Sequence, residues 1–312
     1  MRILHNPNYN FVKWRYHALV LSGLIIAAGL ATIISRGGIP LGVDFSGGTV
    51  MILRFAQPTP QDAIRRALPN AQDAIVQTYG DPAQNRIMIR LPMMSDAEEG
   101  ANLEKQAVEV EEALKAANIA PIERSTDMVG PVMGKDLRSK GIYATLASLG
   151  GILLYIWLRF RFTFAVGAVI ATLHDVLITT VFLVWFGYDL SLNIVAALLT
   201  ITGYSVNDTI VIFDRVRENQ RTAKREALSE VVNRSVNQTL SRTIITAGTT
   251  FAAVVALYLF GGEALRGLAF TLLVGIIFGT YSSVFVASAI AIILSPAPPA
   301  GPVTTAARAR RA

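Results

Sequence analysis

Cysteine is absent from the 312 residues, which excludes disulfides, thiolate metal sites and iron–sulfur clusters. Histidine occurs only as His5, His17 and His174, with no HExxH pattern, so no metal centre is expected. Charge is scarce as well. Asp, Glu, Lys and Arg make up 16% of the chain, against roughly 25% in a soluble domain. Apolar residues fill the gap at 52%, and the mean hydropathy is +0.46. These proportions exclude both disorder and a water-soluble enzyme with one ordinary core. The excess of 28 basic over 22 acidic residues forms no basic stripe interleaved with aromatics, so no nucleic-acid partner is expected. Basic residues that gather in the loops on one side of a membrane raise the net charge equally well.

The apolar residues are concentrated. A membrane-spanning helix needs about 20 of them in succession, and six stretches qualify: His17–Ile34, Gly141–Leu158, Phe164–Phe186, Leu192–Phe213, Thr243–Phe260 and Leu268–Leu294. The first is long and lacks a small-x-small cleavage pattern, so it reads as a retained span. Arg2, Lys13 and Arg15 precede it, Arg159 and Arg161 follow the second span, and Arg308, Arg310 and Arg311 close the chain. Segment 214–242 adds seven basic and four acidic residues. This asymmetry predicts that both termini lie in the cytoplasm. The fold class expected is an α-helical polytopic membrane protein of six transmembrane helices with an external α+β domain.

Residues 1–34 form the N-terminal tail and first span, 35–139 the external domain and 140–294 the other five spans; 295–312 read as a disordered Pro/Ala-rich cytoplasmic tail. The external domain carries 11 basic and 14 acidic residues, as a solvated domain should. Strands are expected at Thr49–Phe55, Ala74–Tyr79, Arg86–Leu91 and Ile122–Val129, with a turn at Gly80-Asp81-Pro82. Helices are expected at Pro60–Leu68 and Ser95–Ala117, the latter with Ser95 and Glu98 as a capping box. The order βαββαβ is that of a ferredoxin-like fold. Within 214–242, Leu228, Val231, Val232, Val236 and Leu240 share one face and predict an amphipathic helix on the cytoplasmic surface.

Polar groups interrupt the spans at His174-Asp175 and Asn207-Asp208, and Arg242 opens the fifth. Charged groups at such depth cost a few kcal/mol and usually carry function. With a rise of about 1.5 Å per residue, His174 and Asp175 fall at mid-membrane and Asp208 nearer the cytoplasmic side. Arg242 is expected at the boundary with its side chain reaching toward Asp208. A structural clasp between Asp208 and Arg242 is the simplest reading; a proton pathway is the sharper one, because a small movement of Arg242 alters the protonation of Asp208. His174 also reads as a packing histidine, and Asp214 as a solvated edge carboxylate. Gly275-x-x-x-Gly279 has the spacing of close helix contact.

Asp44-Phe45-Ser46-Gly47-Gly48-Thr49 resembles the DFxGGT motif of the SecD/SecF protein-export family. The run from Gly203-Tyr204-Ser205 through Asn207-Asp208 to Glu218-Asn219 resembles the fourth-span signature of its SecF branch, and His174-Asp175 and Val129-Gly130-Pro131-x-x-Gly134 are similar to the family pattern. The resemblance implies six of the twelve spans of a transporter of the resistance–nodulation–division superfamily, with SecD supplying the other half. It implies further partners in the SecYEG channel, YajC, membrane lipid and a translocating polypeptide, and a place in the bacterial inner membrane. It places Asp208 and Arg242 in a proton pathway completed by an Asp of SecD, and the neighbouring Asn207, His174 and Asp175 are grouped with them. The proton gradient then supplies the energy, with no cofactor and no enzymatic reaction. Gly47 and Gly48 read first as the turn from membrane into strand. A proton-driven exporter of lipid or small molecules and an intramembrane aspartyl hydrolase are the competing readings.

Overall fold

The computed structural model describes residues 7–68, 74–80, 82–91, 101–129, 131–160, 162–223 and 226–295. Among these, six helices are long and apolar enough to cross a membrane. In chain order the elements are α1 (Arg15–Ser35), a short α2 (Val43–Ser46), β1 (Gly48–Arg54), α3 (Gln61–Ala67), β2 (Ile75–Thr78), β3 (Arg86–Leu91), α4 (Ala101–Ala116) and β4 (Glu123–Val129). There follow α5 (Pro131–Arg159), α6 (Phe162–Trp185), α7 (Leu192–Thr222), α8 (Leu228–Phe260) and α9 (Glu263–Ser282). A π-helical stretch, Ser283–Ala287, joins α9 to α10 (Ser288–Leu294) and so divides the sixth span.

The sheet runs in the order β2-β3-β1-β4, every neighbouring pair antiparallel. With α3 after β1 and α4 after β3, this is the expected ferredoxin-like arrangement. Alternation at period two sends Met51, Leu53 and Phe55 of β1 and its end, and Ile87, Ile89 and Leu91 of β3, to the same face. Ile64 of α3 and Ala107, Val110 and Leu114 of α4 close that core. β4 is an edge strand that carries three charged residues (Glu123, Arg124, Asp127), which discourages pairing with another chain. α4 ends with Asn118 in the left-handed region at φ +59°, and the amide of Ile119 bonds back to Leu114 O. The expected capping box at Ser95 and Glu98, Asp81 of the turn and residues 296–312 of the tail lie outside the described residues.

In the helical bundle α6 and α9 with α10 are the most enclosed, whereas α1, α5 and α8 expose most of their surface. Small residues set the close contacts. A Cβ on Gly275 would lie 2.1 Å from Ile201 Cδ1, and one on Gly279 would lie 3.0 Å from Ser205 Cβ. The glycine pair therefore seats α9 on α7, as its spacing predicts. Gly167 of α6 meets the backbone of the π stretch, where a Cβ would sit 2.7 Å from Ala287 O.

Segment 214–242 differs from expectation. Among the described residues it holds no separate surface helix: α7 continues to Thr222, and α8 already begins at Leu228. Val231, Val232 and Val236 of α8 are buried against Val216 and Phe213 of α7, with Val12 and Phe160 beside them. The apolar face seen in the sequence is thus covered by protein rather than by lipid. Asp214 keeps 43% of its side chain exposed, as a solvated edge carboxylate should, and the extension of α7 also brings it 3.0 Å from the guanidinium of Arg159 at the end of α5.

Candidate functional site

Asp175 is fully buried on α6, and three side chains meet its carboxylate. Oδ1 lies 2.9 Å from His174 Nδ1, while Oδ2 accepts from Ser205 Oγ of α7 at 2.5 Å and from Ser282 Oγ of α9 at 2.7 Å. Gly279 makes this possible, since its missing side chain lets α9 approach α7 at Ser205. The π stretch begins immediately after Ser282 and presents both Ser282 and Ser283 to the interior. Such wide turns recur at functional sites. The hydroxyl of Ser288 donates to Ser283 O at 3.1 Å across the wide turn.

Two further hydroxyls, of Ser283 and Thr209, form a file beside this group. Ser283 Oγ donates to Ser205 O at 3.2 Å and lies 2.8 Å from Thr209 Oγ1. Thr209 adjoins Asp208, which is itself buried. Among the described residues, Asp208 Oδ2 has no hydrogen-bond partner, and neither does His174 Nε2. His174 stacks on Tyr281, whose hydroxyl donates to Ala18 O of α1 at 2.8 Å.

Not every residue singled out in the sequence joins this file. Arg242 is near enough to act on Asp208 through its charge, but no ion pair connects them among the described residues. Its side chain is exposed and lines a cleft at the end of the bundle remote from the sheet. A direct ion-pair clasp of the kind considered from the sequence is therefore absent among the described residues. Asn207 points away from the file and is exposed on the outer face of α7. Ser282, Ser283 and Thr209 are not singled out by any pattern in the sequence, and Ser205 stands out there only within the run that resembles the family signature. The one available signal was the Ser282-Ser283 pair in an otherwise apolar span.

Asp44, Phe45, Gly47 and Gly48 hold the sheet domain to the bundle. Asp44 Oδ2 accepts from the amide of Leu192 at 2.8 Å and, with Ser191, caps the first turn of α7. Phe45 is buried beneath α5 near Gly141. Gly47 and Gly48 turn the chain into β1 at φ +71° and +119°, a region that disfavours side-chain-bearing residues. A Cβ on Gly134 would lie 3.2 Å from Gly47 N, so the two glycine motifs meet in space. Arg90 of β3 completes the junction: it forms an ion pair with Asp189 in the α6–α7 loop and donates to Leu41 O at 3.3 Å.

Comparison with known proteins adds the identity of this scaffold. Residues 109–296 match the family model described as protein export membrane protein SecD/SecF, C-terminal, and residues 33–59 match the SecD/SecF GG motif. The chain is 44% identical over 302 residues to the protein translocase subunit SecF of Rhodothermus marinus, covering 94% of this chain and 96% of that protein. It is 40% identical to the SecF subunit of Escherichia coli O157:H7, covering 92% and 88%. Among solved structures it superposes on SecDF, a translocon-associated membrane protein from Thermus thermophilus, with a TM-score of 0.81 and 34% identity. That match covers 92% of this chain but 39% of the solved one, so the chain spans well under half of the SecDF molecule. A second SecDF structure, in a super-membrane-facing form, matches with a TM-score of 0.68. The chain belongs to the SecD/SecF family of protein-export membrane proteins, in its SecF branch.

Proposed function

We propose that this chain is the SecF half of a proton-driven export complex. In this reading SecD supplies the other six spans, and the assembled complex promotes protein translocation through the SecYEG channel in the bacterial inner membrane, with YajC as an accessory partner. The chain itself catalyses no covalent reaction and needs no cofactor; the proton gradient is its energy source. A proton crossing the membrane releases about 2.3 kcal/mol per 100 mV.

One observation carries the proposal. Two buried carboxylates on adjacent spans differ in saturation, Asp175 with three side-chain partners and Asp208 with a bare buried oxygen. A buried acceptor left unpaired costs about 1–3 kcal/mol. The cost is relieved when Asp208 takes a proton or when a donor from the partner half arrives. The hydroxyls of Ser205, Ser283 and Thr209 both donate and accept, as a proton path between the carboxylates requires. Arg242, nearby and without an ion pair among the described residues, can move as the charge on Asp208 changes.

The face beside Asp208 suits a second half. Ala196, Thr200, Gly203 and Asn207 form an exposed stripe of small and polar residues on α7, matched by Gly248, Thr249, Ala252 and Ala256 on α8. Such residues let helices approach closely in lipid. Asn207 then faces SecD rather than the interior of this chain. With the basic end of the bundle in the cytoplasm, a reporter joined after Leu158 should register as cytoplasmic and one within β2 as external. The direct test is translocation of a preprotein into vesicles holding SecYEG, SecD and this chain. Asp208→Asn should abolish stimulation by an imposed proton gradient while the complex still assembles. Stimulation at the unsubstituted level in an assembled Asp208→Asn complex would refute the reading.

A further inference from the structure

The end of the bundle remote from the sheet holds a cavity of about 1070 Å³ between the segment Pro7–Arg15, α8 and Arg215 of α7. The segment is clamped in place. Asn237 accepts from the amide of Tyr9 and donates to its carbonyl, both at 2.8 Å, and Asn233 donates to the same carbonyl at 3.1 Å and accepts from the amide of Val12 at 3.3 Å. The cavity is therefore a built feature and not a gap beneath a loose tail.

Its lining is strongly basic. Lys13, Arg15, Arg215, Arg234 and Arg242 face it, with Glu230 as the only carboxylate in the lining among the described residues. Arg215 is held by Glu218 at 2.5 Å and Arg234 by Glu226 at 2.8 Å. Lys13, Arg15 and Arg242 form no ion pair among the described residues, and the buried Nε–H of Arg15 has no acceptor. Three cations in one cavity repel each other unless an anion joins them. The polar lining offers further donors for phosphate or glycerol oxygens.

Depth in the membrane selects the kind of anion. Arg15 begins α1, and the 21 residues from there to Ser35 span about 30 Å, one hydrocarbon thickness. Arg242 lies 18 residues before Phe260, about 27 Å, which puts it at the same level. Trp14 and Tyr16 flank Arg15 and are 60% and 56% exposed, as residues of an interfacial aromatic belt are. Ile245 adds an apolar wall one turn inward from Arg242. The cavity thus opens at headgroup depth, with acyl-compatible surface directly beneath it.

We propose that this cavity binds the phosphodiester headgroup of an anionic glycerophospholipid, with Lys13, Arg15 and Arg242 as its charge partners. A basic pocket between helices at a membrane surface has the required chemistry, and the site is separate from the carboxylates on α6 and α7. Because Arg242 also neighbours Asp208, an occupied site sets the charge environment at one end of the hydroxyl file.

The test uses the full chain in nanodiscs of phosphatidylcholine containing a small fraction of phosphatidylglycerol, with retained lipid counted by native mass spectrometry. The unsubstituted chain should retain phosphatidylglycerol selectively. Lys13→Gln with Arg15→Gln should lower retention about tenfold or more, since each basic group at an anionic surface is worth roughly a fivefold change in affinity. Lys13→Gln alone keeps the fold, because the contact of Lys13 with Asn10 is through its backbone amide, and should lower retention severalfold. Lys140→Gln, on α5 beside the sheet domain, should leave it unchanged. Equal retention of the two lipids, or loss of phosphatidylglycerol to millimolar inorganic phosphate, would overturn the assignment, the latter in favour of a free anion. Release of the lipid on assembly with SecD would overturn it in favour of a protein contact.

Discussion

Ser282 of α9 donates its hydroxyl hydrogen to Asp175 of α6 across 2.7 Å, at a point where both residues are fully buried. This bond ties the sixth span to the third at a carboxylate oxygen that also accepts from Ser205 of α7. Removing the hydroxyl takes one of the two donors from that buried oxygen. Ser282→Ala should therefore destabilise the chain by about 2 kcal/mol, read as a lower midpoint of unfolding in detergent. Thr249→Ala, whose hydroxyl is exposed and bonds only within its own helix, should change little.

The glycines allow a ranked prediction. At Gly275 a new Cβ meets the Ile201 side chain, with Cδ1 at 2.1 Å and both γ carbons within 2.7 Å, whereas at Gly167 it meets the Ala287 carbonyl at 2.7 Å. A side chain can swing aside but a backbone in a packed helix cannot, so Gly167→Ala should destabilise more than Gly275→Ala. Overpacking of this kind costs about 1–3 kcal/mol. Ile201→Val should recover part of the loss at Gly275, whereas Gly203→Ala, with open space at its Cβ, should leave the isolated chain unaffected. Thermal unfolding of the four variants tests the order.

The six spans, the four strands and the glycine contact on α7 were legible in the sequence because each rests on a periodic pattern. Met51, Leu53 and Phe55 alternate, and Gly275 and Gly279 recur one turn apart. What escaped was set by single side chains without a period. Ser205, Ser282 and Ser283 are ordinary in a spanning helix, and only the fold brings them to Asp175. The face of Val231, Val232 and Val236 was visible, but no pattern tells whether lipid or Val216 covers it. Asn233 and Asn237 act on residues more than two hundred positions away. The reach of Arg242 depends on a rotamer, which the sequence does not encode.

In the sheet domain, Glu111 bonds to Lys115 at 2.8 Å and to Arg124 of β4. Its hydrogen bond with Lys115, then that with Arg124 and the two charges, hold its carboxyl below the ordinary glutamate value despite some opposing desolvation. A carboxylate more acidic in the folded than in the unfolded chain stabilises the fold above its unfolded value. That contribution is lost as pH falls through the folded value. Amide exchange in α4 and β4 should therefore accelerate on acidification through and below the ordinary glutamate range. Glu111→Gln should show less of this dependence, and an unchanged profile would contradict the assignment.

Arg90 and Asp189 join the sheet to the α6–α7 loop with 15% and 23% of their side chains exposed. Asp189→Asn removes the charge but not the shape, and should loosen the docking by about 1 kcal/mol. Limited proteolysis near Gly42 should then speed up, while the sheet core at Met51 and Ile89 keeps its exchange protection. Reversing both charges, Arg90→Asp with Asp189→Arg, should restore part of the docking.

The central claim is that the buried carboxylates on α6 and α7 carry protons. Vesicles containing this chain with SecD, SecYEG and a stalled preprotein, loaded with a pH-sensitive dye, report proton entry after an acid jump. The account predicts entry through the unsubstituted complex, and entry near the protein-free rate for Asp208→Asn and for Asp175→Asn in complexes that still assemble. Proton entry at the unsubstituted rate in both assembled variants would contradict it and leave these carboxylates a purely structural role.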